Sequence, residues 1–335
     1  MEIALMIEGQ DGLTWPRWQR LAAAAEELGF VGLYRSDHYT NANPPDKESL
    51  ELWVSLTWLA GHTQRLEFGP LVSPVSFRHP TLTARMAAAV DDLSGGRLTL
   101  GLGAGWQARE HTNYGWELLD VGPRFARFEE GLEVVTRLLN SDTPVAFDGD
   151  YYRLRDAILL PRPTRPGGPP ILIGGNGPRR TLPLVARYAT EWNGVFLSPA
   201  DYADRNRQLD DLLRAAGRAP ESVRRSLMAG CVFGRDAAEV AARAARRGTT
   251  SDALRAGGRV AVGDGAAIAD QFGRLGRRRG AAHHATVAGP GRPRRAGCPG
   301  QGCIIGQRAH AKAQRAPRRK AYFFLAPFAC LAFFA

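Results

Sequence analysis

The chain has 335 residues, 44% hydrophobic and 23% charged, ordinary values for a soluble globular protein that exclude disorder, collagen and a disulfide scaffold. Its net charge of +11 is misleading: residues 271–335 hold 13 Lys and Arg and no acid, and removing these from the chain's 44 leaves 31 basic against 33 acidic side chains in residues 1–270. Four cysteines, three of them in that tail (Cys298, Cys303 and Cys330), show no C-x-x-C pairing, which excludes a zinc ribbon and a secreted disulfide framework. In chain order, residues 2–7 predict a strand, and no basic region precedes them, so the chain reads as cytoplasmic rather than secreted. Helical spacing follows over 15–28, stopped by Gly29, and a strand over 31–35. A helix is expected over 50–60, a strand over 65–69, an amphipathic helix over 81–93 ended by Ser94-Gly95-Gly96, and a strand over 97–101. Next come a helix over 124–139, a hairpin over 144–155 around Asp148-Gly149, and an irregular Pro-rich stretch over 161–170. Strands over 171–173, 191–196 and 226–233 alternate with helices over 179–188, 200–216 and 237–247, and a last helix covers 265–275.

Strands separated by helices indicate parallel βαβ units. The count is seven, one short of an eight-stranded barrel, and the eighth strand should follow Leu275. No eighth strand or helix is recognisable there. Residues 277–320 are rich in Gly, Pro, Arg and Ala without periodicity and are expected to be disordered. Residues 321–335 are apolar but, at 15 residues with a central Pro, short for a membrane span. Two readings of the tail stay open: a nucleic-acid-binding basic arm, or an altered reading frame near Gly276. The division expected is therefore a barrel domain over 1–275 and a basic tail over 276–335.

In a parallel barrel, functional groups gather where strands end and helix-bound loops begin. Each polar or glycine cluster falls at such a point: Ser36-Asp37-His38, residues 70–79, Gly101-Leu102-Gly103-Ala104-Gly105-Trp106, Gly174-Gly175-Asn176-Gly177, and Glu191-Trp192-Asn193. His38 suits proton transfer near neutral pH, with Asp37 fixing its tautomer or bonding a cofactor edge; the structural reading is a loop-capping histidine. The 101–106 run is not a dinucleotide fingerprint, because Trp106 stands where G-x-G-x-x-G needs its last glycine. Its alternating glycines instead let a flat ligand approach the backbone, or simply make a tight turn. Gly174, Gly175, Asn176 and Gly177 run into a helix whose first turn carries Arg179 and Arg180, a pattern for binding phosphate, or a plain strand–helix turn. Arg78 and His79 before Pro80 read as a helix N-terminus. His62, His111, His283 and His284 have no partners at ligand spacing, so no metal site is expected. There is no G-x-S-x-G of a serine hydrolase.

Taken together, Ser36-Asp37-His38, Phe77-Arg78-His79-Pro80, the whole run 91–106, Glu110, Tyr114-Gly115, Arg124-Phe125, the 149–154 hairpin, Pro161-Arg162-Pro163, Ile173-Gly174-Gly175-Asn176-Gly177 and Trp192-Asn193 resemble the bacterial luciferase-like monooxygenase family. The likeness is greatest to its coenzyme F420-dependent oxidoreductases and covers about residues 1–275. The resemblance implies a TIM-type (β/α)8 barrel with an insertion after the fourth strand and a deazaflavin or flavin across its mouth. It implies hydride transfer between coenzyme F420 and a small organic substrate, with FMNH2-dependent monooxygenation as the alternative and an inactive, incomplete barrel as a second. Carried over by position, Asp37 and His38 would contact the ring, with His38 the proton carrier. Leu71, Val72 and Ser73 would form a bulge, often with a non-prolyl cis peptide, behind the ring. Ala104 and Gly105 would line the cofactor's tail, and Gly174, Gly175 and Gly177 its phosphate. A homodimer is implied as well. Some F420 enzymes of the family carry a glutamate where this chain has Trp106, and Glu110 lies four residues on, which leaves a second acid–base group unassigned.

Overall fold

A computed structural model describes residues 2–277 and 321–326. The first half of the barrel follows the expected alternation: β1 (Glu2–Ile7), α1 (Trp15–Glu27), β2 (Gly32–Arg35), α2 (Leu52–His62), β3 (Glu67–Pro70), a two-residue β4 (Ser73–Pro74), α3 (Pro80–Leu93) and β5 (Leu100–Gly103). Then comes the insertion: α4 (Ala108–Tyr114), α5 (Val121–Asn140) and the antiparallel pair β6 (Val145–Asp148) and β7 (Arg153–Ala157). The second half holds β8 (Ile171–Gly174), α6 (Thr181–Tyr188), β9 (Glu191–Val195), α7 (Pro199–Ala215), β10 (Arg224–Phe233), α8 (Ala237–Ala245), α9 (Ser251–Gly257), β11 (Val260–Gly263), α10 (Gly265–Arg277) and β12 (Ala321–Ala326). Pro80 opens α3 with His79 as its N-cap, as the sequence suggested, because a proline at the first helical position loses no hydrogen bond.

The strands form a ring. The hydrogen-bonded order is β3-β2-β1-β12-β10-β9-β8-β5, all parallel. The last gap closes where the Thr99 N–H donates to the Phe68 carbonyl at 2.8 Å and the Phe68 N–H to Arg97 O at 3.1 Å. The eighth strand, unrecognised in the sequence, is β12: Glu2–Leu5 pair with residues 322–325 on one side, and Arg225–Gly230 with 321–326 on the other. Residues 278–320, expected to be disordered, and 327–335, the end of the apolar segment, lie outside the described residues. β11 pairs with the far half of the ten-residue β10, outside the ring.

Side chains alternate in and out of the ring. Ala4, Met6, Tyr34, Leu71, Leu172 and Met228 form the inner core. Outward residues such as Leu33, Phe68, Leu102, Ile173 and Trp192 pack under the helices. Where β3, β5 and β8 meet, the inward positions are Gly69, Gly101, Gly103 and Gly174, so that sector of the interior is left for the chain segment that crosses it after β3.

Candidate active site

That segment is the bulge between β3 and β4. Leu71 is buried in the inner core, and the Leu71–Val72 peptide is cis, as the resemblance implied. Val72 lies over the glycines. A Cβ on Gly103 would sit 2.7 Å from Val72 Cγ2, and on Gly174 3.0 Å from Val72 Cγ1. On Gly101 it would collide with the Pro70 carbonyl. The alternating glycines therefore make room for the protein's own bulge, not directly for a flat ligand, and Val72 becomes the floor of the mouth. Ser73 is buried and its hydroxyl donates to Asp37 Oδ2 at 2.6 Å.

Asp37 and His38 follow β2 at the same rim. The Asp37 side chain is buried and bonds Ser73 and Arg78, not the His38 ring. The expectation that Asp37 fixes the histidine's tautomer is corrected accordingly. Arg78, expected only to open a helix, spans Asp37 and Glu51 Oε1, the latter at 2.8 Å, with Tyr39 Oη at 3.3 Å.

His38 Nδ1 lies 2.8 Å from Glu110 Oε1, and Glu110 Oε2 accepts from the Tyr39 N–H at 3.2 Å. The histidine is 17% exposed and the glutamate 1%. The Trp106 ring meets the His38 ring edge-on, centroids 5.5 Å apart, and is itself 63% exposed. Burial disfavours the His38 imidazolium, but the hydrogen bond and charge of Glu110, with the charges of Glu8 and Asp37, outweigh it and hold its pKa above the ordinary value. Glu110 is the group that sequence reasoning left unassigned. It stands in the first turn of a helix too short for periodicity to reveal. On the same helix, His111 Nδ1 donates to Gln107 O at 2.7 Å, so its Nε2 accepts from the Ser76 hydroxyl at 2.8 Å.

Ala104 and Gly105 continue from β5. Gly105 has φ +86°, and its carbonyl accepts from Arg124 at 3.1 Å. The cradle after β8 differs in detail from the expectation. The Gly175 N–H is spent on Asn193 O at 3.0 Å. The Asn176 side chain braces β9, donating to Val195 O at 2.8 Å and accepting from Val195 N at 2.9 Å. Among the described residues no group accepts from the backbone N–H of Asn176, Gly177, Arg179 or Arg180. The amides left without an acceptor thus follow Gly175, over residues 176–180 at the entry to α6, where the Arg179 and Arg180 side chains are exposed.

These groups share one rim because parallel strands deliver their C-terminal ends to the same face. A cavity of about 500 Å³ lies elsewhere, on the outer side of β10 and β11 beside α10, and shares no residue with the mouth. Among the described residues no group of three His, Cys, Asp or Glu could hold a metal ion, and His283 and His284 lie outside them. No described helix is long and apolar enough to cross a membrane.

Comparison with known proteins agrees with this fold. The chain is 34% identical over 180 residues to an F420-dependent glucose-6-phosphate dehydrogenase of Amycolatopsis mediterranei, 52% of this chain and 51% of that protein. It is 34% identical over 191 residues to 4-hydroxyprotoasukamycin monooxygenase of Streptomyces nodosus subsp. asukaensis, 57% of this chain and 49% of that protein. The chain thus spans about half the length of the curated relatives it matches. An F420-dependent secondary alcohol dehydrogenase, solved with an F420–acetone adduct, superposes with a TM-score of 0.72 over 82% of this chain and 90% of its own, at 19% identity, which shows the shared fold. The model of the luciferase-like monooxygenases matches residues 4–314, past the position near 275 where the resemblance was expected to stop. With the barrel, the bulge and the rim in place, this chain belongs to the luciferase-like monooxygenase family.

Proposed function

We propose that the protein is an F420-dependent oxidoreductase in which hydride passes between the deazaflavin and a small organic substrate over the barrel mouth, and His38 carries the accompanying proton. The observation that carries this reading is the placement of His38 on the same rim as the Val72 floor and the amides of Asn176, Gly177, Arg179 and Arg180. The residues present fit the group: a flat apolar floor for a ring and free amides with two arginines for a phosphate. When bound, the deazaflavin supplies a ring carbon that accepts or gives hydride without activating oxygen.

The chain's own part is binding and proton handling. Val72 and the bulge would back the ring, and the α6 entry would hold the phosphate. Among the described residues none bonds His38 Nε2, so a neutral His38 accepts a substrate hydroxyl proton there as the carbon gives up hydride, and the imidazolium returns it in the reverse direction. The F420-dependent relative favours this cofactor; the monooxygenase relative supports reduced FMN with oxygen as the second reading. A homodimer belongs to the same reading.

The test is binding of F420 and, separately, FMN to the purified full chain, followed by cofactor fluorescence. Saturable F420 binding is expected. Tight FMN binding without F420 binding moves the assignment to the monooxygenase, and binding of neither rejects a redox role. With a compound turned over from a panel of small alcohols and sugar phosphates, His38→Ala should lower kcat by about a hundredfold or more while F420 affinity stays within about twofold. Wild-type turnover in that variant removes His38 from the chemistry.

A further inference from the structure

We infer that Glu110 is a positioning residue for His38, fixing which imidazole nitrogen carries the proton toward Glu110 and which is presented to the mouth. The inference rests on the proposed proton role of His38 for its functional meaning, but not for its test.

Glu110 cannot itself serve a molecule in the mouth. It is 1% exposed, and both carboxylate oxygens are engaged, one by His38 Nδ1 at 2.8 Å and one by the Tyr39 N–H at 3.2 Å. An ionised carboxylate only accepts hydrogen bonds, so Nδ1 must be the protonated nitrogen whenever His38 is neutral. Nε2 is then the lone pair available to a reactant, and the same contact orients the ring. Asp37, the other acid next to His38 in sequence, is held away by Arg78 and Ser73.

The helix that delivers Glu110 is built to hold it still. Gln107, buried, donates to Thr40 O at 3.0 Å, and Arg109 donates to Asn41 O at 2.9 Å and pairs with Asp46 at 2.6 Å. His111 is tied to Ser76 on the other side. Four side chains within five residues thus lock α4 to the segments after β2 and β4. The ionisable groups that face His38 are Glu110 from α4, Asp37 from its own segment and Glu8 from the segment after β1, with the neutral Trp106 against the ring edge. All three acids favour the imidazolium, and Glu110 is the one in contact.

The test is imidazole ¹⁵N NMR of the cofactor-free full chain, titrated over about pH 5 to 9, with His38→Asn used only to assign the resonance. Neutral wild-type His38 should carry its proton on Nδ1. In Glu110→Gln the amide oxygen can keep the Tyr39 N–H bond while its NH2 donates to Nδ1, which moves the imidazole proton to Nε2. The His38 midpoint should also fall by about one pH unit or more. Glu110→Asp, which keeps the charge, should retain a midpoint above that of Glu110→Gln. A wild-type His38 protonated on Nε2 overturns the inference without any variant, as does an unchanged midpoint and tautomer in Glu110→Gln. A chain that binds neither F420 nor FMN sinks the function and leaves this result readable; an active chain with the Nε2–H tautomer sinks the inference alone.

Discussion

Val72 forms the floor of the mouth because three neighbours on two other strands have no side chain. Gly101, Gly103 and Gly174 each leave a space that a Cβ would fill, and Val72 methyls lie 2.7 to 3.2 Å from where those atoms would be. Gly103 and Gly174 would meet only the Val72 side chain, whereas Gly101 would meet backbone, and Gly103 makes the closer contact of the two, so it is the informative position. Gly103→Ala should push Val72 toward the mouth, lowering stability by about 1–3 kcal/mol, as overpacking of a dense interior does. F420 affinity should fall with it. Thermal unfolding and fluorescence titration of the same variant give both effects, and unchanged values in both would show that Val72 does not set the floor.

At the scale of elements, α4 is a clamp whose ion pair makes local stability depend on pH. The folded-state pKa of His38 is raised above its unfolded value of about 6.5, so its contribution is fully present below about pH 6.5 and is lost as pH rises through the folded-state value. Urea unfolding across that range should show wild type losing stability with rising pH relative to Glu110→Gln; parallel curves for the two proteins would deny the linkage. This helix leaves little sign in the sequence. Seven residues make two turns, and the two that it buries, Glu110 and His111, are polar, so no apolar stripe marks it. The barrel strands were legible for the opposite reason. Most are short apolar runs, several bounded by Gly or Pro, and their ends coincide with the glycine and polar clusters. The anion cradle was legible as a region but not by residue. Nothing in Gly174-Gly175-Asn176-Gly177 says that Asn193 takes one amide and that the Asn176 side chain turns to Val195. Asp37 and Arg78 stand 41 positions apart, and only the fold could pair them.

For the molecule as a whole, the decisive element is β12. A parallel barrel leaves two unpaired edges if one strand is missing, here β1 and β10. The strand that pairs with both comes from beyond residue 320, out of an apolar segment whose distance from the seventh strand hid its role. A central strand tolerates proline poorly, because each residue's N–H or C=O is used by a neighbour on one side or the other. Phe323, paired with Ile3 on one side and Leu227 on the other, is the position to test. Phe323→Pro should cost about 1–3 kcal/mol for the lost ladder hydrogen bond and broaden or abolish the unfolding transition, whereas Phe323→Leu, which keeps the backbone donor, should remain cooperative. Truncation after Arg277 should go further, exposing both edges and leaving a chain that aggregates and binds no F420. If the tail were only an appendage, the truncated chain would unfold at the wild-type temperature with its cofactor site intact, and the ring would have to close without β12.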